Sequence, residues 1–412
     1  MGVLYSEGEK MNIEQIQDAY ETIKDVVVKT PILYSPVFSE MCGNGNKVYL
    51  KCENLQTTGA YKLRGALNKI RKLTAEQKGR GVVCASAGNH AQGVAYAATL
   101  EKINATIVMP ETTPYLKVQA TMDFGGKVIL HGKFFDDAYK KACELSQQEG
   151  ATFIHPFDDE EIMAGQGTVG LEILDQLPDC DIIVVPIGGG GLISGISVYA
   201  KAINPNIKIV GVQAYGASAM VKSFQEHRLI ALDSIATIAE GIAVKSPGKL
   251  TFEVISNYVD EMVRVKDNVI VDKLLVLLEK HKLVAETSGV ASLAALKDIK
   301  NIQDKKIVCL ISGGNIDMLN LSALINSGFV SRGRIFCFGV ELANIPGQLL
   351  NVSTLLTKLG ANVIRLEHNQ AKARNKYQNV QLEITVETNG FAHIQRIKEA
   401  FEEAGYFINP QY

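Results

Sequence analysis

A lysine lies in an unusual setting early in the chain, in the stretch GAYKLRGA from Gly59 to Ala66. Lys62 has small and apolar neighbours, and Arg64 follows two positions later. A lysine on a helix is most often a solvated surface residue. The alternative is an amine held away from water, whose lowered pKa would make it useful as a nucleophile or a base. Lys62 is therefore the first candidate for chemistry.

Four consecutive glycines form the second candidate. Gly188, Gly189, Gly190 and Gly191 follow the apolar run DIIVVPI and precede a helical pattern that begins at Leu192. A glycine run in this position exposes backbone N–H groups beside a helix N-terminus, where the helix dipole favours an anion. The run matches neither GxGxxG nor GxxxxGK[ST]. It predicts a site for a phosphate monoester, and the alternative is a tight turn with close helix packing.

Two further turns carry a serine after an apolar run. The first consists of Ser86, Ala87, Gly88, Asn89 and His90. It would hold a carboxylate by the same logic, or it is an ordinary helix cap made by its serine or asparagine. The second turn, SGGN, begins at Ser312 after KIVCLI. Turns of this kind at strand ends predict a crevice at one edge of a parallel sheet, where open α/β folds bind ligands.

The elements that must position these turns alternate along the chain. Apolar, β-branched runs predict buried parallel strands at 47–53, 82–86, 105–110, 127–132, 181–187, 207–213 and 306–312. Helical patterns lie between them at 61–73, 89–101, 135–148, 162–177 and 271–281. This alternation is typical of α/β proteins, and the number of strands favours two α/β lobes.

The last 80 residues or so have a different pattern. Strand-like and helix-like runs follow each other in the order β-α-β-β-α-β, the ferredoxin-like motif. The polar segment 368–379 is predicted to be the loop between the two middle strands. A small separate module therefore follows the main body, joined to it near residues 327–333.

Composition excludes several classes of function. The chain has 412 residues, a net charge of −2 and 47% hydrophobic residues, as expected of a globular protein of two or three domains. We find no basic, aromatic-rich stretch for nucleic acid and no apolar run long enough to cross a membrane. Seven scattered cysteines without CxxC spacing argue against zinc and a disulfide framework. The first twelve residues lack an apolar signal region, and the cysteines are interpreted as reduced thiols, so we expect a cytoplasmic protein. Because zinc-site spacing is absent, we expect no bound metal.

The motifs ENLQTTGAYKLRGA, SAGNHAQGV, AGQGTVGLEI, PIGGGGLISG and ISGGNID together resemble the threonine dehydratases of the fold-type II pyridoxal phosphate family. The resemblance implies a two-lobed, tryptophan-synthase-β-like catalytic region over residues 1–328, with the smaller lobe at about 54–155. The tail, 329–412, with GVELANIPGQLL, resembles an ACT domain, a ferredoxin-like module that senses small molecules.

The resemblance also implies roles for single residues. Lys62 would form the Schiff base with pyridoxal 5'-phosphate, and Ser312 would face the pyridine nitrogen as a neutral partner. Glu286 would lie near the substrate, or be a charge at a helix N-terminus. The other cofactor contacts implied are Tyr61, Asn89, Gly188, Gly189, Gly190, Gly191, Leu192 and Gly241. The turn Ser86, Ala87, Gly88, Asn89 and His90 would hold the substrate carboxylate.

The implied reaction converts L-threonine into 2-oxobutanoate and ammonia, and L-serine into pyruvate, with Lys62 as the base at Cα. Serine racemases of this family carry a serine at the position of Ala87 and an acidic metal ligand at that of Gln213, so both residues weaken a racemase reading. A serine dehydratase or racemase, a 3-hydroxyaspartate dehydratase and a non-catalytic amino-acid sensor remain as alternatives. The family resemblance implies a homotetramer, and an effector such as isoleucine or valine near Asn344, Gly347 and Gln348.

Overall fold

The computed structural model describes residues 11–369 and 378–411. The chain divides into two compact units, the first ending at Asp317 and the second beginning at Met318. The boundary predicted at 328/329 falls inside a helix instead, because residues 318–331 form one continuous helix that belongs to the second unit. No helix in the described ranges is long and apolar enough to cross a membrane.

The strands, in chain order, are β1 Ile32–Ser35, β2 Lys47–Cys52, β3 Val82–Ala85, β4 Ala105–Met109, β5 Lys127–Leu130, β6 Thr152–Phe153, β7 Ile182–Pro186, β8 Lys208–Ala214, β9 Glu261–Val265, β10 Lys306–Ile311, β11 Ile335–Ala343, β12 Asn362–Asn369, β13 Asn379–Glu387 and β14 Ile408–Pro410.

The α-helices, in chain order, are α1 Ile13–Ile23, α2 Pro36–Cys42, α3 Lys62–Arg71, α4 Ala75–Arg80, α5 Asn89–Leu100, α6 Tyr115–Asp123, α7 Phe135–Glu149, α8 Glu160–Gln176, α9 Gly191–Ile203, α10 Ala219–Glu226, α11 Lys249–Tyr258, α12 Asp267–Val276, α13 Ala291–Ala294, α14 Met318–Ser331, α15 Gln348–Leu359 and α16 Phe391–Glu403.

The first unit contains two sheets, as the predicted two lobes require. The larger has the order β1-β2-β10-β7-β8-β9 and is parallel except for the edge strand β1. The smaller has the order β5-β4-β3-β6 and is parallel throughout. All seven predicted strands of the main body are confirmed. Strands β1, β6 and β9 were not predicted; β6 has only two residues, and the run of β9, EMVRV, is interrupted by two charged residues.

Helix α8 is packed between α3 and α9 through glycine contacts. A Cβ atom on Gly165 would lie 2.6 Å from Cα of Gly65 in α3, and one on Gly195 in α9 would lie 2.2 Å from the Met163 carbonyl oxygen. A side chain at these crossings would separate the helices. The segment AGQG of α8 thus sets the spacing between the helix that starts at Lys62 and the helix that follows the glycine run.

A fully buried ionic network lies beneath the start of α3. The Arg64 guanidinium pairs with Glu53 at 2.8 Å and Glu172 at 2.7 Å, and the Lys51 ammonium pairs with Glu172 at 2.6 Å. All four side chains have 0% exposure. Two positive and two negative charges balance, which makes their burial tolerable. Arg64 is therefore structural, and the network attaches α3 to strand β2 and helix α8.

The second unit has the ferredoxin-like topology that the sequence predicts. Its antiparallel sheet has the order β12-β13-β11-β14. Apolar side chains of β11 and β13 pack with Val352 and Leu356 of α15 and with Ile397 and Phe401 of α16. Helix α15 ends at Gly360 in the left-handed conformation, as predicted. The predicted polar loop 368–379 lies largely outside the described residues.

One predicted helix changes character before its end. The pattern over 271–281 forms α-helix only as far as Val276, and Leu277–His281 continue as a π-helix. Lys282 then takes a left-handed conformation with φ of 58°. A short π segment of this kind often adjoins a functional site, and Glu286 follows four residues later.

Candidate active site

Lys62 is the first residue of α3 and is half-buried. Its Nζ donates a hydrogen bond of 2.6 Å to the carbonyl oxygen of Pro156 and lies 5.4 Å from the centroid of the Tyr61 ring. Burial lowers the pKa of Lys62 from 10.5 to about 8, while the charge of Glu286 opposes the shift. The amine is thus partly neutral near physiological pH, as a nucleophile or base must be.

The turn that precedes Lys62 is joined to the turn that begins at Ser312. Tyr61 donates its backbone N–H to the Ser312 carbonyl, Gly314 donates to the Gly59 carbonyl at 2.8 Å, and Ala60 forms a β-bridge with Gly313. Gly59 has a φ of 72°, which favours glycine. Two segments 250 residues apart in sequence, at 62 and 312, are thereby held side by side.

The glycine run lies between β7 and α9, as predicted. Gly190, with a φ of 108°, is the N-cap of α9, and Gly191 begins the helix. Leu192 is buried in the core of the larger lobe. The first N–H groups of a helix have no acceptor within it. The loop therefore presents backbone donors at a positive helix terminus, an arrangement suited to an anion.

The number of glycines also has a packing reason. A Cβ atom on Gly189 would lie 2.4 Å from the ring of Phe157, and one on Gly191 would lie 2.8 Å from the Phe157 carbonyl oxygen. On Gly190 it would lie 2.8 Å from Cβ of Thr251, whose hydroxyl donates to the Gly189 carbonyl at 2.6 Å. Close packing against Phe157 and Thr251 thus accounts for these glycines, and the binding of an anion by the same loop stays a prediction.

The turn from Ser86 to His90 follows β3, which belongs to the smaller sheet. The three turns therefore meet between two sheets rather than at the edge of one. Gly88 is the N-cap of α5 and donates its N–H to the Ser86 hydroxyl at 3.2 Å. Ala87 is half-buried and contributes no polar side-chain atom. The helix cap that was the alternative interpretation of this turn is therefore not made by Ser86 or Asn89, because the N-cap residue of α5 is Gly88. The side-chain amide of Asn89 can thus make other contacts.

Asn89 connects the turn to the larger lobe. Its Nδ2 donates to Glu286 Oε1 at 2.8 Å, and its Oδ1 accepts from Asn315 Nδ2 at 2.9 Å. Glu286 Oε1 also accepts from the Ser288 hydroxyl at 2.8 Å. Burial raises the pKa of Glu286, and its two donors oppose that rise. The carboxyl group thus contacts the turn that carries Asn89, and its place near the substrate stays a prediction.

Gly241 lies beside the same carboxyl group. A Cβ atom there would be 2.5 Å from the Ser288 hydroxyl and 3.1 Å from Glu286 Oε1. Gly313 is similar, since a Cβ atom on it would be 2.8 Å from Glu286 Oε1. Glycine at both positions keeps the space around this carboxyl group open.

Ser312 directly follows β10 and is 4% exposed. Its backbone N–H donates to the Gly289 carbonyl at 3.2 Å. Within the described ranges, no protein atom forms a hydrogen bond with its hydroxyl group. The hydroxyl is therefore available to a ligand atom, either as donor or as acceptor.

The imidazole of His90 turns away from this space. It is 3% exposed, and Nε2 donates to the Ile154 carbonyl oxygen at 2.9 Å. Burial lowers the pKa of His90 to about 3, with a smaller contribution from Lys62. The side chain is thus neutral, and its Nε2 atom anchors it to the backbone at Ile154.

Two contributors to the site were not singled out from the sequence. Asn315 Nδ2 lies within hydrogen-bond distance of the Thr58 carbonyl, Asn89 Oδ1 and Gln92 Oε1. It is the last residue of the turn SGGN, so its position was visible but its role was not. The second contributor is the segment 155–158. In this segment the Pro156 carbonyl oxygen accepts a hydrogen bond from Lys62, and the Phe157 ring packs against the glycine run.

The proposed effector residues are adjacent in the second unit. Asn344 donates its backbone N–H to the Gln378 carbonyl at 2.8 Å. Gly347, with a φ of 94°, is the N-cap of α15, and Gln348 is the first residue of that helix. The three residues thus lie in the connection from β11 to α15.

Two proteins of known name resemble this chain over nearly its whole length. L-threonine ammonia-lyase of Thermotoga maritima is 44% identical over 398 residues, covering 97% of this chain and 99% of the relative. The L-threonine ammonia-lyase of Geobacter sulfurreducens is 42% identical over 396 residues, covering 96% and 98%.

Solved structures show the same likeness. The processed form of threonine deaminase isoform 2 from Solanum lycopersicum superimposes with a TM-score of 0.73 at 36% identity, over 80% of this chain and 92% of that one. Maize serine racemase gives a TM-score of 0.74 at 37% identity, over 78% and 99%. The family model described as pyridoxal-phosphate dependent enzyme matches residues 23–313, a range that includes Lys62, the turn 86–90, the glycine run and Ser312. The chain therefore belongs to the pyridoxal-phosphate dependent enzymes.

Proposed function

We propose that this protein deaminates L-threonine to 2-oxobutanoate and ammonia with pyridoxal 5'-phosphate as cofactor. The observation that carries the proposal is the amine of Lys62, half-buried and with a lowered pKa, in the same lobe interface as the glycine run. The near full-length likeness to two L-threonine ammonia-lyases supports the substrate.

The residues present fit the cofactor. The glycine run offers backbone donors to a phosphate group at the N-terminus of α9, and side chains are excluded there by Phe157 and Thr251. The Ser312 hydroxyl is free to meet a pyridine nitrogen. Asn89 donates one Nδ2 hydrogen to Glu286 and keeps the other for a ring hydroxyl. Tyr61 packs beside Lys62 and Gly241 keeps space open near Glu286. These residues would hold pyridoxal phosphate between the lobes.

When bound, the cofactor withdraws electrons from the substrate and makes its Cα proton acidic. Lys62, neutral in part at pH 7, removes that proton. The turn 86–90 binds the substrate carboxylate through its backbone N–H groups and the Ser86 hydroxyl. Glu286 orients the Asn89 amide through the bond of 2.8 Å. Threonine loses water across Cα and Cβ, and water then replaces its nitrogen, which leaves 2-oxobutanoate and ammonia.

The chemistry at Cα takes place on one face only. A racemase needs a second acid or base opposite the lysine, and Ala87 supplies none. Gln213, at the position of a racemase metal ligand, has its amide engaged by the protein. Its Oε1 accepts from the Val221 N–H at 2.9 Å, and its Nε2 donates to the Ile187 and Gly188 carbonyls at 3.3 and 3.4 Å. These contacts favour elimination over racemisation, and we expect L-serine to be converted into pyruvate by the same route.

The test is keto-acid release from L-threonine, L-serine and 3-hydroxyaspartate. We expect 2-oxobutanoate from threonine, together with an absorbance band at about 410 nm that Lys62→Ala abolishes. Lys127→Ala, at an exposed lysine of β5, is the matched control and should retain both signals. Absence of 2-oxobutanoate from a sample that shows the band would overturn the choice of substrate.

The second unit is proposed to be an ACT-like regulatory domain, supported by its ferredoxin-like sheet order. An amino acid such as isoleucine or valine would bind near Asn344, Gly347 and Gln348. Threonine turnover with and without each branched-chain amino acid tests this, with Gln348→Ala as the site variant. An effect of isoleucine that Gln348→Ala leaves unchanged would place the effector elsewhere.

A homotetramer in the cytoplasm is the expected state of the protein. The family resemblance supports the tetramer, and sedimentation showing only monomer would contradict it.

All seven cysteines are unpaired and five of them are buried, as expected in a reducing compartment. Cell fractionation tests the location.

A further inference from the structure

The segment 155–158, here called the crossover turn, carries the chain from β6 in the smaller sheet to α8. Pro156 and Phe157 contact the site directly, and Asp158 contacts it through helix α11. The carbonyl of Pro156 accepts from Lys62 Nζ at 2.6 Å. Phe157 packs on Gly189 and Gly191 of the glycine run. The crossover turn thus touches the amine and the anion loop at once.

Asp158 extends these contacts to α11. Its carboxylate accepts from the N–H groups of Lys249 and Thr251 at 3.0 and 3.1 Å, at the start of that helix. Thr251 in turn donates to the Gly189 carbonyl at 2.6 Å. The glycine run is therefore held by the crossover turn both directly, through Phe157, and indirectly, through the cap of α11.

The shape of the crossover turn depends on one side chain. His155 Nδ1 accepts the backbone N–H of Asp158 at 2.7 Å and that of Phe157 at 3.3 Å. The imidazole also lies edge-on to the Phe157 ring, with centroids 4.8 Å apart. A nitrogen that accepts hydrogen bonds carries no proton, so the turn requires the neutral imidazole.

The surroundings keep the ring neutral. Burial lowers the pKa of His155, and the charge of Lys62 adds to the lowering, while Asp158 and Asp159 oppose it. The ring of Tyr139 packs against the imidazole at 6.5 Å.

We propose that His155 is a positioning residue, which folds the crossover turn through its Nδ1 atom and so holds the Lys62 amine and the glycine run at their working separation. The inference rests on the proposed role of Lys62. His155 itself touches neither the amine nor the glycines, and it acts through the backbone of Pro156 and Phe157. A misplacement of about 1 Å in such an arrangement costs on the order of 100-fold in rate.

The test compares three substitutions in the full-length holoenzyme. Asparagine carries an acceptor, Oδ1, at the same distance from the backbone as Nδ1, whereas glutamine carries it one bond farther and leucine carries none. We expect His155→Asn to retain kcat for threonine within about threefold, and His155→Gln and His155→Leu to lose about 10- to 100-fold, with smaller changes in KM. His131→Leu, at an exposed histidine of the same lobe, is the control and should match the wild type.

A second measurement does not depend on turnover. Hydrogen exchange at the amides of Phe157 and Asp158 should be faster in the glutamine and leucine variants and as slow as wild type in the asparagine variant. The inference is overturned if exchange accelerates without loss of kcat, or if asparagine and glutamine behave alike. Should leucine prevent folding, the asparagine–glutamine comparison still decides. An inactive wild type would refute the proposed function, and the exchange data would then test the turn alone.

Discussion

The amine of Lys62 should be far more reactive at neutral pH than that of an ordinary lysine. Burial lowers its pKa from 10.5 to about 8. At pH 7 the neutral fraction is then about one tenth, against about 0.03% for an unperturbed side chain. Since only the neutral amine acts as a nucleophile or base, burial increases the supply of the reactive form about 300-fold.

The perturbation that tests this reasoning is Glu286→Gln. The carboxylate of Glu286 raises the pKa of Lys62 and so works against burial. Glutamine is almost the same size and keeps an oxygen that can accept from Asn89 and Ser288. We therefore expect the pKa of Lys62 to fall below its wild-type value in this variant, with the fold unchanged.

The assay is labelling with acetic anhydride across a pH series, on protein stripped of pyridoxal phosphate. Mass spectrometry of the peptide that contains Lys62 gives the midpoint, after normalisation to its own plateau at high pH. Lys127, exposed on β5, serves as the internal standard. A Lys62 midpoint equal to that of Lys127, or a higher midpoint in Glu286→Gln, would refute the argument.

Three further predictions concern the frame around the amine. Burial lowers the folded-state pKa of His90 to about 3, so from about pH 6.5 downward the unfolded state binds a proton that the folded state does not. The free energy of unfolding should fall by about 3 kcal/mol between pH 7 and pH 4 from this group, and urea unfolding should show a weaker acid dependence in His90→Gln. Gly165→Ala places a Cβ atom 2.6 Å from a Cα atom of α3 and should cost about 1–3 kcal/mol with a lower kcat, whereas Gly79→Ala, with open space around it, should be neutral in both thermal unfolding and turnover. Glu172→Gln leaves the buried charge of Arg64 short of a partner and should cost about 3–5 kcal/mol; a thermal unfolding midpoint equal to wild type would contradict the importance of the network.

Much of the fold could be predicted because its signals are local. The seven predicted strands of the main body are largely apolar runs, and the final module repeats the spacing of its motif over short distances. Among the strands that escaped prediction, β6 has only two residues and is too short to show a period, whereas β9, EMVRV, is interrupted by charged residues. The unit boundary was also missed, because LNLSALINSGFVS continues as helix through the expected junction.

The sequence by itself determined which groups are available: the amine of Lys62, the glycine run, and two turns that carry a serine. Only the tertiary structure decided what surrounds them. Asn89 and Glu286 are 197 residues apart and meet at 2.8 Å, and the imidazole of His90 turns toward Ile154. The crossover turn supplies a backbone carbonyl, which no residue type reveals. Residue identity is local information, whereas burial, and with it the pKa of Lys62, comes from elements that are distant in sequence and adjacent only after folding.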